Sequence, residues 1–289
     1  MTQFTGRRWV GIYSGVERAY GETVNCWQIK ASLGPQGRRN CPVSARDFTP
    51  SALPFAPTFV CFRPMNPKQR AAATALAFIE SGMVVGLGTG STSDYFLQAL
   101  AAALKAGSLS SIRGVPTSLQ SERRARELGI PLATLAQCPH PDITIDGCDE
   151  IDPQLDLIKG LGGALLREKV IAQNSKRLII IADTNKRVQT LGSRSPLPVE
   201  VTPFGHEIQH AFFSSLGAIP ALRHTPEGTV FITDNGNHIY DLRFKQIDDP
   251  RKLEAILQMR AGVVECGLFL AIAERALIAD DRQVQDLTR

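Results

Sequence analysis

The stretch Met83-Val84-Val85-Gly86-Leu87-Gly88-Thr89-Gly90-Ser91-Thr92, continued by SDYFLQALAAALKA (93–106), decides the fold class. A short apolar run bounded by glycine is the pattern of a buried strand. A Gly/Thr/Ser turn follows, and then an Ala/Leu-rich segment over 92–106 with strong helix propensity. Strand, glycine turn and helix recur outward from here. Residues 67–81 (PKQRAAATALAFIES) predict a preceding helix, opened by Asn66-Pro67, a capping residue and a proline suited to a first turn. Downstream, 112–115 predicts a strand, 118–128 a helix, 143–146 a strand, 164–175 a helix and 177–182 a strand. Strands alternating with helices predict an α/β fold: an open, mainly parallel sheet with helices on both faces.

The pattern changes at Pro196-Leu197-Pro198. Predicted strands at 199–202, 218–223, 229–233, 237–243 and 262–267 are interrupted by helices at 206–216 and 250–259. Asp234-Asn235-Gly236-Asn237 separates two alternating runs and predicts a hairpin. This is a smaller α+β unit with an antiparallel sheet over 198–267. The α/β catalytic domain then spans 65–197 and resumes at about 268–289.

Composition bounds the function. The chain has 289 residues, 43% apolar and 21% charged, enough for roughly two domains and incompatible with disorder. No uncharged apolar run reaches about 18 residues, which argues against a membrane helix. Six cysteines (26, 41, 61, 138, 148, 266) lack a CxxC pair and suit a reducing compartment, hence a cytoplasmic protein. The net charge of +4 is uneven: residues 1–64 hold eight basic and three acidic groups (+5), leaving 24 and 25 (−1) in the rest. The near-neutral body argues against nucleic acid as a partner. Residues 1–64 have no sustained hydrophobic period and no apolar core of a secretory signal. Their Arg bias fits an organelle transit peptide weakly, since only four serines occur. The expectation is an unmatched basic extension, with Met65 as the natural start.

Three segments of unusual chemistry fall at strand ends, where open parallel sheets bind ligands. Gly86-Leu87-Gly88-Thr89-Gly90-Ser91-Thr92 offers backbone N–H groups and hydroxyls to a phosphate or carboxylate at a helix N-terminus, or is simply a capped tight turn. It is neither GxGxxG nor a P-loop. Asp146-Gly147-Cys148-Asp149-Glu150-Ile151-Asp152 packs four carboxylates into seven residues. It suits acid/base chemistry, a divalent cation or merely a solvated turn; EF-hand spacing is absent. Lys159-Gly160-Leu161-Gly162-Gly163, followed by a helix carrying Arg167-Glu168-Lys169, supplies a cation, flexible backbone and a carboxylate, or an ordinary charged helix face. His206 and His210, four apart, lack a nearby third ligand, so a metal pair is not expected.

Together and in order, GLGTGST (86–92), DGCDEID (146–152), KGLGGALLREK (159–169), IADTNK (181–186), PLPVEV (196–201) and TDNGN (233–237) resemble the A-type ribose-5-phosphate isomerases. The resemblance runs from about Lys68 to about residue 280. It implies interconversion of ribose 5-phosphate and ribulose 5-phosphate, in the non-oxidative pentose phosphate pathway, by a homodimer or homotetramer without metal or other cofactor. It implies Glu168 as base, with Asp146, Asp149 and Lys159 beside it. Asp146 is expected to open the sugar ring and Asp149 to orient a hydroxyl. Substrate contacts are implied for Lys68, Thr89, Gly90, Ser91, Thr92, Gly147, Cys148, Gly160, Leu161, Gly162 and Lys186. Leu161 and Cys148 depart from the family's usual residues. A sugar-phosphate-sensing regulator domain, an amino-sugar phosphate deaminase or a coenzyme A transferase are the alternatives of related architecture; the broken GxGxxG speaks against a dehydrogenase.

Overall fold

The computed structural model describes residues 65–289, so the reading of residues 1–64 lies outside the described residues. Helix α1 (Pro67–Ala75) opens as expected, with the Asn66 side chain accepting from the Gln69 N–H and proline in the first turn. It is shorter than 67–81. After a 3-10 turn (Leu76–Phe78) the chain is extended at Ile79 and reverses at Gly82, whose φ is +89°. Propensity alone does not register that the next residues must enter the sheet.

Strands β1 (Val84–Leu87), β2 (Arg113–Pro116) and β3 (Ile143–Asp146) alternate with helices α2 (Ser91–Lys105) and α3 (Leu119–Glu127). Two short strands, β4 (Glu150–Ile151) and β5 (Leu157–Ile158), lead to α4 (Leu165–Asn174) and β6 (Leu178–Asp183). The antiparallel part comprises β7 (Leu197–Val201), α5 (Gln209–Ser215), β8 (Ile219–Leu222), β9 (His238–Arg243), α6 (Pro250–Gln258) and β10 (Val263–Cys266). The chain closes with β11 (Leu268–Phe269), β12 (Arg275–Ala279) and β13 (Val284–Thr288).

The six-stranded sheet has the order β13-β12-β6-β3-β1-β2, parallel throughout except that β13 runs antiparallel to β12. Its strands are apolar on both sides, as burial on two faces requires. Ile179 and Ile181 of β6 pack with Ala71 and Ala75 of α1, Phe96 and Leu100 of α2 and Ala125 of α3. Leu178, Ile180 and Ala182 pack on the opposite face, with Ala172 of α4. Helices therefore cover both faces. β1 lies between β3 and β2, so successive connections leave it in opposite directions. That switch point opens a crevice at the carboxyl ends of β1 and β3.

The second sheet, β10-β7-β9-β8, is antiparallel, and Val199, Val201, Phe213, Tyr240, Leu242 and Leu257 share its core. Three expectations are corrected here. The segment 229–233 is not a strand and makes only an isolated bridge, Val230 with His224. Both edges of β9 are taken by β7 and β8, so no partner position remains for it. The 234–237 turn exists, closed by the Thr233 N–H on the Asn237 carbonyl at 2.9 Å, but it does not join two paired strands. The predicted helix 206–216 divides into a 3-10 turn (His206–Ile208) and α5.

Candidate active site

The site is built outward from Asp146, the last residue of β3. The glycine at 88 lets β1 and β3 approach closely: a Cβ there would lie 2.3 Å from Asp146 Oδ1. Asp146 is 1% exposed. Its Oδ1 accepts from the N–H groups of Gly147 (2.7 Å) and Thr89 (3.1 Å) and from the Ser93 hydroxyl (3.3 Å). Its Oδ2 lies 3.0 Å from Lys159 Nζ. Both oxygens are engaged within the protein, so Asp146 anchors the loop and the lysine. Thr89 is likewise held inward, its hydroxyl 2.7 Å from that of Thr117 and donating to that of Ser118 at 2.8 Å.

Lys159 enters from the opposite side, just after β5. Its ammonium donates to the Gly147 carbonyl at 2.6 Å and to Glu168 Oε1 at 3.2 Å, besides pairing with Asp146. Burial works against its charge, but Asp146 and Glu168 outweigh that and hold its pKa above the ordinary lysine value. Glu168, one turn into α4, is 4% exposed. Burial pushes its carboxyl up to about 8; Lys159 opposes the shift, and Asp146 and Asp149 reinforce it. Its Oε2 is buried and makes no hydrogen bond within the protein.

A cavity of about 100 Å³ is lined by Thr89, Gly90, Ser91, Thr92, Gly147, Cys148, Asp149, Lys159, Gly160, Gly162, Glu168 and Lys186. The three sequence segments thus converge on one hollow. Lys68 lies in the adjoining, wider hollow of about 420 Å³, which shares Asp149 and Lys186 with the first and adds Asp183, Asn185, Arg194 and Ser195. Lys68 Nζ donates to the Ser91 hydroxyl at 2.8 Å, joining α1 to the start of α2. Cys148 is buried, and burial raises its thiol to about 12, so it is an unionised wall. Leu161 is corrected: its side chain is 40% exposed and lines neither hollow, while its N–H donates to Asp149 Oδ2 at 2.9 Å. It contributes backbone alone.

The acidic turn disperses. The Glu150 carboxylate accepts from the N–H groups of Gly192 (2.7 Å) and Arg194 (2.8 Å). Asp152 Oδ1 accepts from those of Gln154 and Asp156, each at 2.9 Å. Of the four carboxylates only Asp149 lines the hollow, so they do not form one cation site. Among the described residues the grouping with metal-ligand geometry is Glu254, Glu265 and Cys266, where the Lys169 ammonium already lies 3.2 and 2.7 Å from the two carboxylates. His206 instead has its Nδ1 3.3 Å from the Tyr240 hydroxyl.

Sequence reading missed Arg223 and Phe231. Arg223 donates to the carbonyls of Gly160 (3.0 Å) and Leu161 (3.1 Å) while paired with Asp241. The Phe231 ring sits where a Cβ on Gly163 (φ +83°) would be, 2.5 Å from it. The connection between β8 and β9 thus backs the glycine loop. No local pattern marks either residue, because both act across more than 60 positions.

The family model for ribose 5-phosphate isomerase A (phosphoriboisomerase A) matches residues 113–283. The chain belongs to the ribose 5-phosphate isomerase A family. A ribose-5-phosphate isomerase A of Roseiflexus sp. (strain RS-1) is 51% identical over 220 residues, covering 76% of this chain and 94% of the relative. A ribose 5-phosphate isomerase from Plasmodium falciparum superposes with a TM-score of 0.75 at 41% identity, covering 77% of this chain and 97% of that one. A D-ribose-5-phosphate isomerase solved in complex with phospho-erythronic acid has the same TM-score at 43% identity, over 77% and 97% of the two chains. These relatives favour an isomerase over the sensor and deaminase readings. The chain is an isomerase enzyme of this family.

Proposed function

We propose that this protein interconverts D-ribose 5-phosphate and D-ribulose 5-phosphate through an enediolate, with Glu168 as the base. The observation that carries the reading is the buried Glu168 carboxylate, one oxygen fixed by Lys159 and the other without a partner, in a hollow just wide enough for a small polar molecule. On the open-chain aldose, the ionised carboxylate takes the C2 proton, and the electron pair moves into a C1–C2 double bond as the carbonyl oxygen becomes anionic. The same carboxyl returns that proton to C1, and a second proton passes between the two oxygens. Lys159, its three donors already engaged, acts as a fixed positive charge beside the developing anion.

Asp149, which lines both hollows, is better placed than Asp146 to open the furanose ring. Lys68 and Lys186, with Ser91 and Thr92 at the start of α2, suit the phosphate. Phospho-erythronic acid, bound by a related isomerase, supports this reading: its planar, anionic carboxylate resembles the planar, anionic end of an enediolate. The pentose phosphate pathway, a cytoplasmic location and assembly as a homodimer belong to the same proposal. Incubating purified protein with ribose 5-phosphate and following ketose formation tests it. Binding without turnover would return the sensor reading.

A further inference from the structure

The TDNGN segment is matched by sequence yet has no part in the chemistry above. Its structure gives it one. The Thr233 hydroxyl donates to Glu200 Oε1 at 2.9 Å, and the Asn237 side-chain amide donates to the same oxygen at 2.8 Å. The Thr233 hydroxyl also accepts from the N–H groups of Asn235 (3.2 Å) and Asn237 (3.1 Å). Glu200, in β7, is fully buried; its Oε1 accepts from these hydroxyl and amide donors, while its Oε2 is buried without a hydrogen-bond partner. Burying a carboxylate costs stability, and the donors on one oxygen offset part of that cost. Here it fixes one short turn to the second sheet.

From that turn, contacts leave in two directions. Asp234 Oδ2 accepts from the Leu119 N–H at 2.7 Å, at the start of α3. The neighbouring residue, Ser118, holds the Thr89 hydroxyl of the substrate-side loop. On the other side, Arg167 donates through Nε to Asn235 Oδ1 at 2.9 Å and through Nη2 to the Asp234 carbonyl at 2.8 Å. Arg167 directly precedes Glu168 on α4.

We infer that residues 233–237, anchored on Glu200, form a brace that sets the gap between the 89–92 loop and the base-bearing helix, with Arg167 and Asp234 as positioning residues for the reaction. This rests on Glu168 being the base. A helix turn freed at Arg167 moves Glu168 relative to Lys159 and to the substrate carbon, and misplacement near 1 Å can cost about a hundredfold in rate. The loop side of the brace acts on substrate binding instead.

The experiment compares wild type, Arg167→Met, Asp234→Ala and Asp234→Asn in steady-state assays on ribose 5-phosphate over a range of pH, with thermal melts. The Arg167→Met variant keeps the aliphatic stem. Its kcat should fall about ten- to a hundredfold with KM within about twofold, and the acidic limb of its kcat/KM profile should move, because the charge environment of Glu168 has changed. In Asp234→Ala, KM should rise about three- to tenfold, as for one lost hydrogen bond to a backbone donor, and Asp234→Asn, which keeps an acceptor oxygen, should restore it. A merely structural role lowers the melting temperature and the active fraction while leaving the pH profile and KM of the folded enzyme at wild-type values; that result overturns the brace. So does wild-type kcat in Arg167→Met. A wild type that fails to isomerise, or a Glu168→Gln variant that still does, overturns the isomerase reading itself and is seen without the brace variants.

Discussion

Replacing Glu168 by Gln tests the proposed chemistry most directly. The substitution keeps the side-chain length and an oxygen able to accept from Lys159, so the packing of a 4%-exposed residue is preserved while the base is removed. A positioned general base contributes about 10²–10⁴ in rate, or roughly 3–5 kcal/mol of barrier. The variant should lose at least about a hundredfold in kcat and still bind ribose 5-phosphate, as calorimetry would show. The wild-type pH profile supplies an independent check. Burial raises Glu168 to about 8, and only its ionised form accepts the proton. At pH 7 about one molecule in ten is then ionised, so kcat/KM should rise about tenfold per unit up to about pH 7, about fivefold more by pH 8, and level off above it. Titration of the substrate phosphate, near pH 6, falls well below that limb.

Stability should move the opposite way. A carboxyl with its folded pKa raised from 4.5 contributes stability that is complete below that value and is lost as pH rises through about 8. Glu168→Gln should therefore lose less thermal stability than wild type as pH rises from about 5 to about 8. Retention of more than about 1% of wild-type kcat, or an acidic limb lying below about pH 6, would refute the assignment of a buried, unpaired carboxylate as the base.

Other outcomes follow from the same geometry. Lys68→Met should raise KM for ribose 5-phosphate about tenfold or more with a smaller change in kcat, since it removes a cation at the mouth of the site and not at the reacting carbons; a fall in kcat alone would contradict this. Activity should survive dialysis against EDTA, because the Lys159 ammonium already occupies the space between the Asp146 and Glu168 carboxylates; loss reversed by Mg²⁺ would show otherwise. A chain beginning at Met65 should fold and isomerise with unchanged kcat/KM, since the residues that line the two hollows lie after Met65; an inactive product would show that residues 1–64 matter.

Much of this molecule is local and therefore legible in one dimension. The MVVGL run, its glycine turn and the Ala/Leu helix depend on propensities and on spacing within about 15 residues, and the Asn66 cap on three. The same holds for the alternation that makes a parallel sheet, and for the three polar segments that end its strands. What those segments do was not local. Four neighbouring carboxylates part company because Gly192 and Arg194 draw Glu150 one way, Asp152 closes its own turn, and Lys159 claims Asp146. Residues 229–233 alternate like a strand, yet β7 and β8 had already taken both edges of β9. Strands β12 and β13 gave no clear signal by themselves, because their stability comes from pairing with β6 and with each other.

The amino-acid order by itself determined the class of fold, the three segments that meet, and the chemical types they bring. Tertiary structure alone decided which carboxylate is buried with an unpaired oxygen, which is bound on both oxygens and which lines the hollow. The reason is that desolvation, Coulomb attraction and hydrogen-bond capacity depend on distance through space: Glu168 is buried, and it feels Asp146 and Asp149 from across about 20 residues of chain, while even its near neighbour Lys159 reaches it only because the fold turns the glycine loop back.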